Sequence, residues 1–383
     1  MLNLLSRLAA RLPKNVRAVL RRVPLLHRLR ARSVGRPELE GPGSGELRAV
    51  VHLPDWCRWD VMRQRPQAIA AAFARAGHDV YFVDPLELRS RKADGVNIVP
   101  SIRETPRRGV LLMVHFPPLR ELFEHYQDAA VFYDIFDDLT IFDPDEVDLP
   151  ASRRVGAHHP ALVQSADVVA ASARVLHDRH RSERSDLILA ENGVDLDRFR
   201  STTVRPPELP EGPIAGYHGA VAEWFDFALL SEVARTLPDW NFVLVGPVLA
   251  GAEEGAAAFT ALGNTTLIGQ QSADDVPAFV QAFDVGLVPF QITEMTEGVS
   301  PLKLFEYLAA GVPVVSTPLP AAIDSPSTVV AGDAAAFAAA IRSADANDTA
   351  WRSAADAEAE SAAWTRRLQP ILDRLDELGR RRV

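Results

Sequence analysis

Gly298-Val-Ser-Pro-Leu-Lys-Leu-Phe-Glu-Tyr-Leu-Ala-Ala-Gly311-Val-Pro-Val-Val315 reads as a helix followed at once by a buried strand. Ser300 suits the N-cap, and Pro301 suits the first helical position, where its missing N–H costs nothing. Gly311 supplies the left-handed residue that closes a helix. Leu304 and Leu308 share one face, bordered by Phe305, so that side packs on a sheet. Lys303 and Glu306, three apart, share another. The valines after Gly311 form the short apolar run of a strand covered on both faces. One helix-then-strand unit of this kind belongs to the α/β class.

Outward from it the alternation continues. Toward the N-terminus, Val285-Gly-Leu-Val288, Thr266-Leu-Ile268, Asn241-Phe-Val-Leu-Val245 and Ile214-Ala-Gly-Tyr217 are strand candidates, with a helix expected over 227–237. Arg205-Pro-Pro-Glu-Leu-Pro-Glu-Gly-Pro213 is a linker signal, with four prolines and a glycine in nine residues. Beyond it lie Leu187-Ile-Leu-Ala190, Val168-Val-Ala-Ala171, Ala130-Val-Phe-Tyr133, Val110-Leu-Leu-Met-Val114, Val80-Tyr-Phe-Val83 and Arg48-Ala-Val-Val-His-Leu53. A helix carrying Ala68, Ile69, Ala72 and Phe73 closes at Gly77. Two doubly wound, Rossmann-like parallel sheets follow, facing across a cleft at their strand carboxyl ends, where such folds bind ligands. The expected division is a basic leader over 1–45, a first domain over 46–204, a second over 205–346 and an alanine-rich helical segment over 347–383. Trp351 and Trp364 are its anchors.

The chain has 383 residues, 47% hydrophobic and 24% charged, which suits a soluble protein of two domains. A single cysteine, Cys57, excludes an internal disulfide and fits a reducing, cytoplasmic compartment. Charge is uneven. Residues 1–36 hold nine Arg, one Lys and no acid; with 41 cations and 51 anions in the whole chain, the rest carries 31 against 51. So acidic a body repels a phosphate backbone, and nucleic acid is not an expected partner. In the leader, Leu5, Leu8, Leu12, Val16, Val19, Leu20 and Val23 recur at helical spacing among arginines, broken by Pro13 and ended by Pro24. No stretch approaches a membrane span or a secretory h-region. Two readings stand: a cationic amphipathic helix lying on an anionic membrane at its inner face, or a basic tail.

Lys303 is the unusual residue of the opening stretch. Near a helix N-terminus a cation opposes the macrodipole, where an acid or glutamine is favoured. It fits if an anion, such as a phosphate, lies between the amine and the free helix N–H groups. The bland readings are a solvated lysine and an i,i+3 partner for Glu306 worth a few tenths of a kcal/mol.

The stretch resembles the donor-site helix of the large retaining family of GT-B glycosyltransferases, which are built from two Rossmann-like domains. Members often read Pro-x-Lys-x-x-Glu-Tyr-x-Ala-x-Gly. The likeness extends to Asn192-Gly-Val-Asp-Leu-Asp-Arg-Phe199, the glycine loop Gly216-Tyr-His-Gly219, Gly246-Pro247, Leu267-Ile-Gly269 and Phe283-Asp-Val-Gly-Leu-Val-Pro-Phe290. It spans about 50–315. The resemblance implies an acceptor-binding first domain, a donor-binding second domain and a C-terminal helix crossing back to the first. It implies that Glu306 binds the nucleotide ribose and that Lys303 and the helix N-terminus face the diphosphate. Val299, Ser300, Pro301 and Leu302 line that N-terminus, and Gly216, Gly219 and Gly246 let the backbone approach the ligand. The implied donor is a UDP-sugar or GDP-sugar. Three departures mark a divergent branch: Gly298 stands where many members carry a first glutamate, with Glu297 one residue away. The Arg and Lys usual after the second-domain glycine loop are missing, Gly219-Ala-Val-Ala-Glu223-Trp224 offering an acid instead, and the first turn, Asp55-Trp-Cys-Arg-Trp-Asp60, lacks the family's glycines.

In the first domain, Tyr133-Asp134-Ile-Phe-Asp137-Asp138 ends a strand with three carboxylates. They cap or turn the chain, or one of them, Asp137 or Asp138 ahead of Asp134, serves as a base or orienting acceptor for an acceptor hydroxyl. His115, Arg63 and Arg65 are further cleft candidates. His158-His159 and the acidic run 143–148 read as surface loop, and no metal site or obligatory cofactor is expected. The expected function is transfer of a hexosyl group from a nucleoside diphosphate sugar to a saccharide or lipid-linked acceptor hydroxyl, in cell-envelope, exopolysaccharide or glycolipid synthesis. The alternatives are a sugar-nucleotide epimerase on the same scaffold and a non-catalytic nucleotide-sugar binding protein.

Overall fold

The computed structural model describes residues 47–381, apart from 48, 55–56, 62 and 139–149. The expected leader, the acidic run 143–148 and the start of the first strand-to-helix turn lie outside the described residues. Two compact units are present: the described residues up to Glu191 together with those from Arg367 onward, and Asn192–Arg366.

The first unit is built on an eight-stranded sheet. Its strands are β1 (Ala49–His52), β2 (Asp79–Val83), β3 (Arg91–Ala93), β4 (Val96–Val99), β5 (Val110–Val114), β6 (Ala130–Ile135), β7 (Val168–Ala171) and β8 (Ile188–Leu189), in the order β3-β4-β2-β1-β5-β6-β7-β8. Every pairing is parallel except β3 with β4. All five residues of β5 and all four of β7 are buried, as the unbroken apolar runs require of strands covered on both faces. The β3–β4 hairpin was not expected from Arg-Lys-Ala; its signal is Asp94-Gly95, both at positive φ (49° and 80°), the pair a tight hairpin favours.

The second unit holds β9 (Ile214–His218), β10 (Asn241–Val245), β11 (Thr265–Gly269), β12 (Val285–Val288), β13 (Val314–Ser316) and β14 (Thr328–Val330), in the order β11-β10-β9-β12-β13-β14 and parallel throughout. In each unit the order reverses at the first strand of the sheet: β1 has β2 on one side and β5 on the other, and β9 has β10 and β12. A doubly wound sheet opens a crevice at the carboxyl ends of strands at such a reversal.

The boundaries depart from the expected ones. The division falls at residue 192 rather than in the proline-rich linker, because the short helix Leu196–Arg200 is tied to the second unit. Gln281 donates from Nε2 to the Phe199 and Ser201 carbonyls (2.8 and 2.7 Å). At the other end, the helix Thr349–Ser361 also stays with the second unit. Trp351 donates from Nε1 to the Ser327 carbonyl (3.0 Å), and Ala355, Ala359 and Ala362 join that unit's core. Trp364 packs on Gly193, where a Cβ would lie 2.9 Å from its ring. Only from Arg367, which pairs with Glu191 (2.8 Å), does the chain rejoin the first unit, through the helix Gln369–Arg381.

Candidate donor site

The helix Leu302–Ala310 follows β12 and closes at Gly311, whose φ of 72° is left-handed as expected. Its start differs by one residue. Pro301, with an extended ψ of 116°, occupies the N-cap position, so Lys303 is the second helical residue. Ser300 is therefore not a cap. Its hydroxyl accepts from the Asn192 N–H (3.3 Å) and its carbonyl from Asn192 Nδ2 (2.5 Å). The Val299 N–H is taken by the Thr296 carbonyl (3.2 Å). The first N–H groups of the helix, at Leu302 and Lys303, have no acceptor within it and carry its positive end.

Half-buried Lys303 lies over two rings, with Nζ 5.1 Å from the Tyr217 centroid and 4.8 Å from that of Phe290. The two aromatic residues come from the ends of β9 and β12, neighbours at the reversal of strand order. Burial lowers the Lys303 amine to about 8 against the opposing pull of Glu306. Each ring face offers roughly 0.5–2 kcal/mol of cation–π attraction. Among the described residues no carboxylate forms an ion pair with Lys303; Glu306 is instead paired with His218, Oε2 to Nε2 at 3.2 Å. The i,i+3 pairing that would make Lys303 an ordinary surface residue is not made.

The glycines divide in role. Gly219 (φ 116°) follows β9, and a Cβ there would meet Lys303 Cε at 3.3 Å. Gly246 (φ 152°) follows β10, and its Cβ would sit 2.0 Å from the Gly219 carbonyl oxygen. Gly219 in turn donates its N–H to the Val245 carbonyl (2.9 Å), so the two loops run together beside the lysine. Gly216 is a core residue: its Cβ would lie 2.2 Å from the Phe283 ring. Glu297 is exposed at the end of the short helix Glu294–Glu297, and Gly298 is buried.

In the first unit, β5 and β6 bring together three of the expected residues. Arg65, the first residue of the helix Arg65–Arg75, donates from Nε and Nη2 to the two oxygens of Asp134, both at 2.7 Å. His115 Nδ1 lies 3.0 Å from Asp134 Oδ2. Burial pushes the Asp134 carboxyl up, but Arg65 and then His115 outweigh it and hold it well below the usual carboxylate range. His52, at the end of β1, stacks on Phe82 (4.2 Å) and sits 5.1 Å from the His115 ring. His52 was not among the sequence candidates; its place beside His115 comes from the pairing of β1 with β5, which no local pattern encodes. Asp137 and Asp138 are both buried. The Asp137 side chain accepts from the Asp138 N–H (3.0 Å), and burial raises its carboxyl. Asp138 pairs with Arg179. Arg63 pairs with Asp94, away from this cluster. His159 is buried, its Nδ1 2.6 Å from the Tyr133 hydroxyl. Among the described residues no group of three or more His, Cys, Asp or Glu is arranged for a metal ion.

Two doubly wound, largely parallel sheets, the second with a lysine-bearing helix at its strand reversal, define the two-Rossmann GT-B fold, and comparison with known proteins agrees. Residues 213–347, within the second unit, match the family Glycosyl transferases group 1. A protein of Bacillus subtilis (strain 168) named as a teichuronic acid biosynthesis glycosyltransferase, TuaH, is 32% identical over 167 residues. That alignment spans 42% of this chain and 42% of the relative. Among solved structures, a sucrose-phosphate synthase from Thermosynechococcus elongatus covers 87% of this chain and 98% of its own, with a TM-score of 0.61 and 16% identity. HepE from Anabaena, solved with UDP-glucose, covers 86% and 99%, with a TM-score of 0.60 and 14% identity.

Proposed function

We propose that the protein is a glycosyltransferase that moves a sugar from a UDP-sugar to an acceptor hydroxyl in the synthesis of a cell-envelope polysaccharide. The observation that carries this reading is Lys303. Its ammonium rests against two rings with no carboxylate ion-paired to it among the described residues, beside the open end of a helix, and an anionic ligand would complete the arrangement. Lys303 and the N–H groups of Leu302 and Lys303 take the diphosphate and stabilise the charge that builds on it as the glycosidic bond breaks. Glu306, one turn on, accepts from the ribose hydroxyls. Gly219 and Gly246 leave room for the ligand beside the amine. UDP is favoured by the fold neighbour solved with UDP-glucose, and the envelope role by the similarity to TuaH. In the first unit, His115, oriented by Asp134 and Arg65, and the carboxylates Asp137 and Asp138 are the candidates for handling the acceptor. A basic leader adds attachment to an anionic membrane.

Titration calorimetry with UDP tests the donor site. Lys303→Ala and Glu306→Ala should each weaken binding by about tenfold to a hundredfold, the range for a lost hydrogen bond to a charged group. Wild-type affinity in both variants would remove the assignment. The exposure of Glu297, near where the family's first glutamate stands, favours one competing reading, a donor-binding protein without turnover. Transfer of labelled sugar to an added saccharide acceptor separates the two.

A further inference from the structure

Glu306 has a neighbour that its position in the helix does not explain. His218 is the last residue of β9, 7% exposed, and its Nε2 lies 3.2 Å from Glu306 Oε2. The imidazole is itself fixed twice over. Its ring meets Tyr307 edge-on, with centroids 5.1 Å apart and an interplanar angle of 88°. Its backbone N–H donates to the Tyr307 hydroxyl (3.2 Å), which lies 3.4 Å from the Gly216 and Leu287 carbonyls. Strand β9, strand β12 and the helix Leu302–Ala310 thus converge on one histidine, and that histidine touches one oxygen of one carboxylate.

We propose that His218 is a positioning residue for nucleotide recognition: it holds Oε2 of Glu306 so that the carboxylate meets the 2′ and 3′ hydroxyls of a ribose. The proposal rests on the reading of Glu306 as the ribose acceptor and adds the residue that sets its geometry. An ionised carboxylate has about four acceptor positions. The His218 ring edge, with Nε2 3.2 Å from Oε2, flanks one side of the carboxylate and leaves the rest for two hydroxyls. A glutamate near the start of a helix otherwise samples several rotamers, and fixing it before the ligand arrives removes that ordering cost from binding. The Glu306 side chain keeps 19% of its exposure, so the held carboxylate still has an open side. The site selects ribonucleotides over their deoxy analogues, and His218 is a determinant of that choice.

The test measures Kd by calorimetry for UDP, 2′,3′-dideoxyuridine diphosphate and UMP, on the full chain. Wild type should prefer UDP to the dideoxy analogue by about tenfold or more, as expected for hydroxyls donating to a charged acceptor. His218→Ala should bring that preference to within about threefold, while the preference for UDP over UMP, which reports the phosphate end, stays as in wild type. His218→Phe keeps the edge-on packing on Tyr307 without the ring nitrogen that approaches Oε2, and should give the same loss, so the result does not depend on the alanine variant folding. His218→Gln, whose amide can reach the carboxylate, should restore most of the preference. A wild-type preference for UDP over the dideoxy analogue in His218→Phe overturns the proposal, as does an equal loss of both preferences. Glu306→Ala is the separate arm: if it retains the wild-type preference, the ribose reading of Glu306 is what fails. If it loses the preference while His218→Phe keeps it, only the role of His218 fails.

Discussion

The Lys303 amine titrates within reach of ordinary assays. Burial between Tyr217 and Phe290 lowers it to about 8, so it is charged at neutral pH and largely neutral above about 9. A diphosphate favours the ammonium, so above that pH binding must be accompanied by uptake of a proton. UDP affinity should hold from about pH 7 to 7.5 and then fall, by up to about tenfold per unit beyond pH 8. Lys303→Arg stays charged throughout and should flatten the profile in calorimetry across that range. A decline of the same shape in the arginine variant would assign it to another group. In the sequence, Lys303 stands out as a cation near a helix start, and Glu306 only through the family resemblance. His218 does not stand out. Its pairing joins a strand end to a helix many residues later, and no local pattern encodes a contact of that range. The Arg65–Asp134–His115 cluster was legible only as three separate candidates for the same reason.

Elements were more legible than their ends. Apolar runs identified β5, β7, β10 and β12 to the residue, because buried parallel strands leave no freedom on either face. The short β3, β4 and β14 lay outside that rule: β3 is polar, and Val329 and Val330 of the edge strand β14 are exposed. Ser300 followed the statistics of capping until Pro301 took the extended conformation itself and left the serine to Asn192. The loops after β9 and β10 allow a prediction. Gly246 combines a φ of 152° with a Cβ position 2.0 Å from the Gly219 carbonyl oxygen, backbone that cannot yield cheaply. Gly246→Ala should cost about 3 kcal/mol or more in urea unfolding. It should also weaken UDP binding, because Gly219 abuts Lys303. Gly216→Ala disturbs Phe283 instead, and should destabilise the second unit's core. An unchanged unfolding midpoint in Gly246→Ala would mean that the two loops can separate at little cost.

On the scale of the whole molecule, two sheets with one winding rule and a single reversal each account for the likeness to proteins only 14–16% identical. Shared packing rules, rather than shared side chains, carry that similarity. Charge is what the fold does not fix. The body beyond residue 36 is strongly acidic while residues 1–36 hold ten cations and no acid, and among the described residues no helix is long and apolar enough to cross a membrane. An acidic body alone would be repelled by an anionic leaflet, so any attraction has to come from the leader, at roughly 1 kcal/mol for each Lys or Arg near the surface. The full chain should co-sediment with vesicles containing phosphatidylserine and remain free with phosphatidylcholine alone. The binding should weaken steeply as salt rises from about 0.1 M to 0.5 M, since the screening length shortens from roughly 10 Å toward a few ångströms. A chain lacking residues 1–36 should stay in the supernatant at every salt concentration while binding UDP as before. Equal sedimentation of the two forms would place the attraction on the body and remove the leader from any role at a membrane.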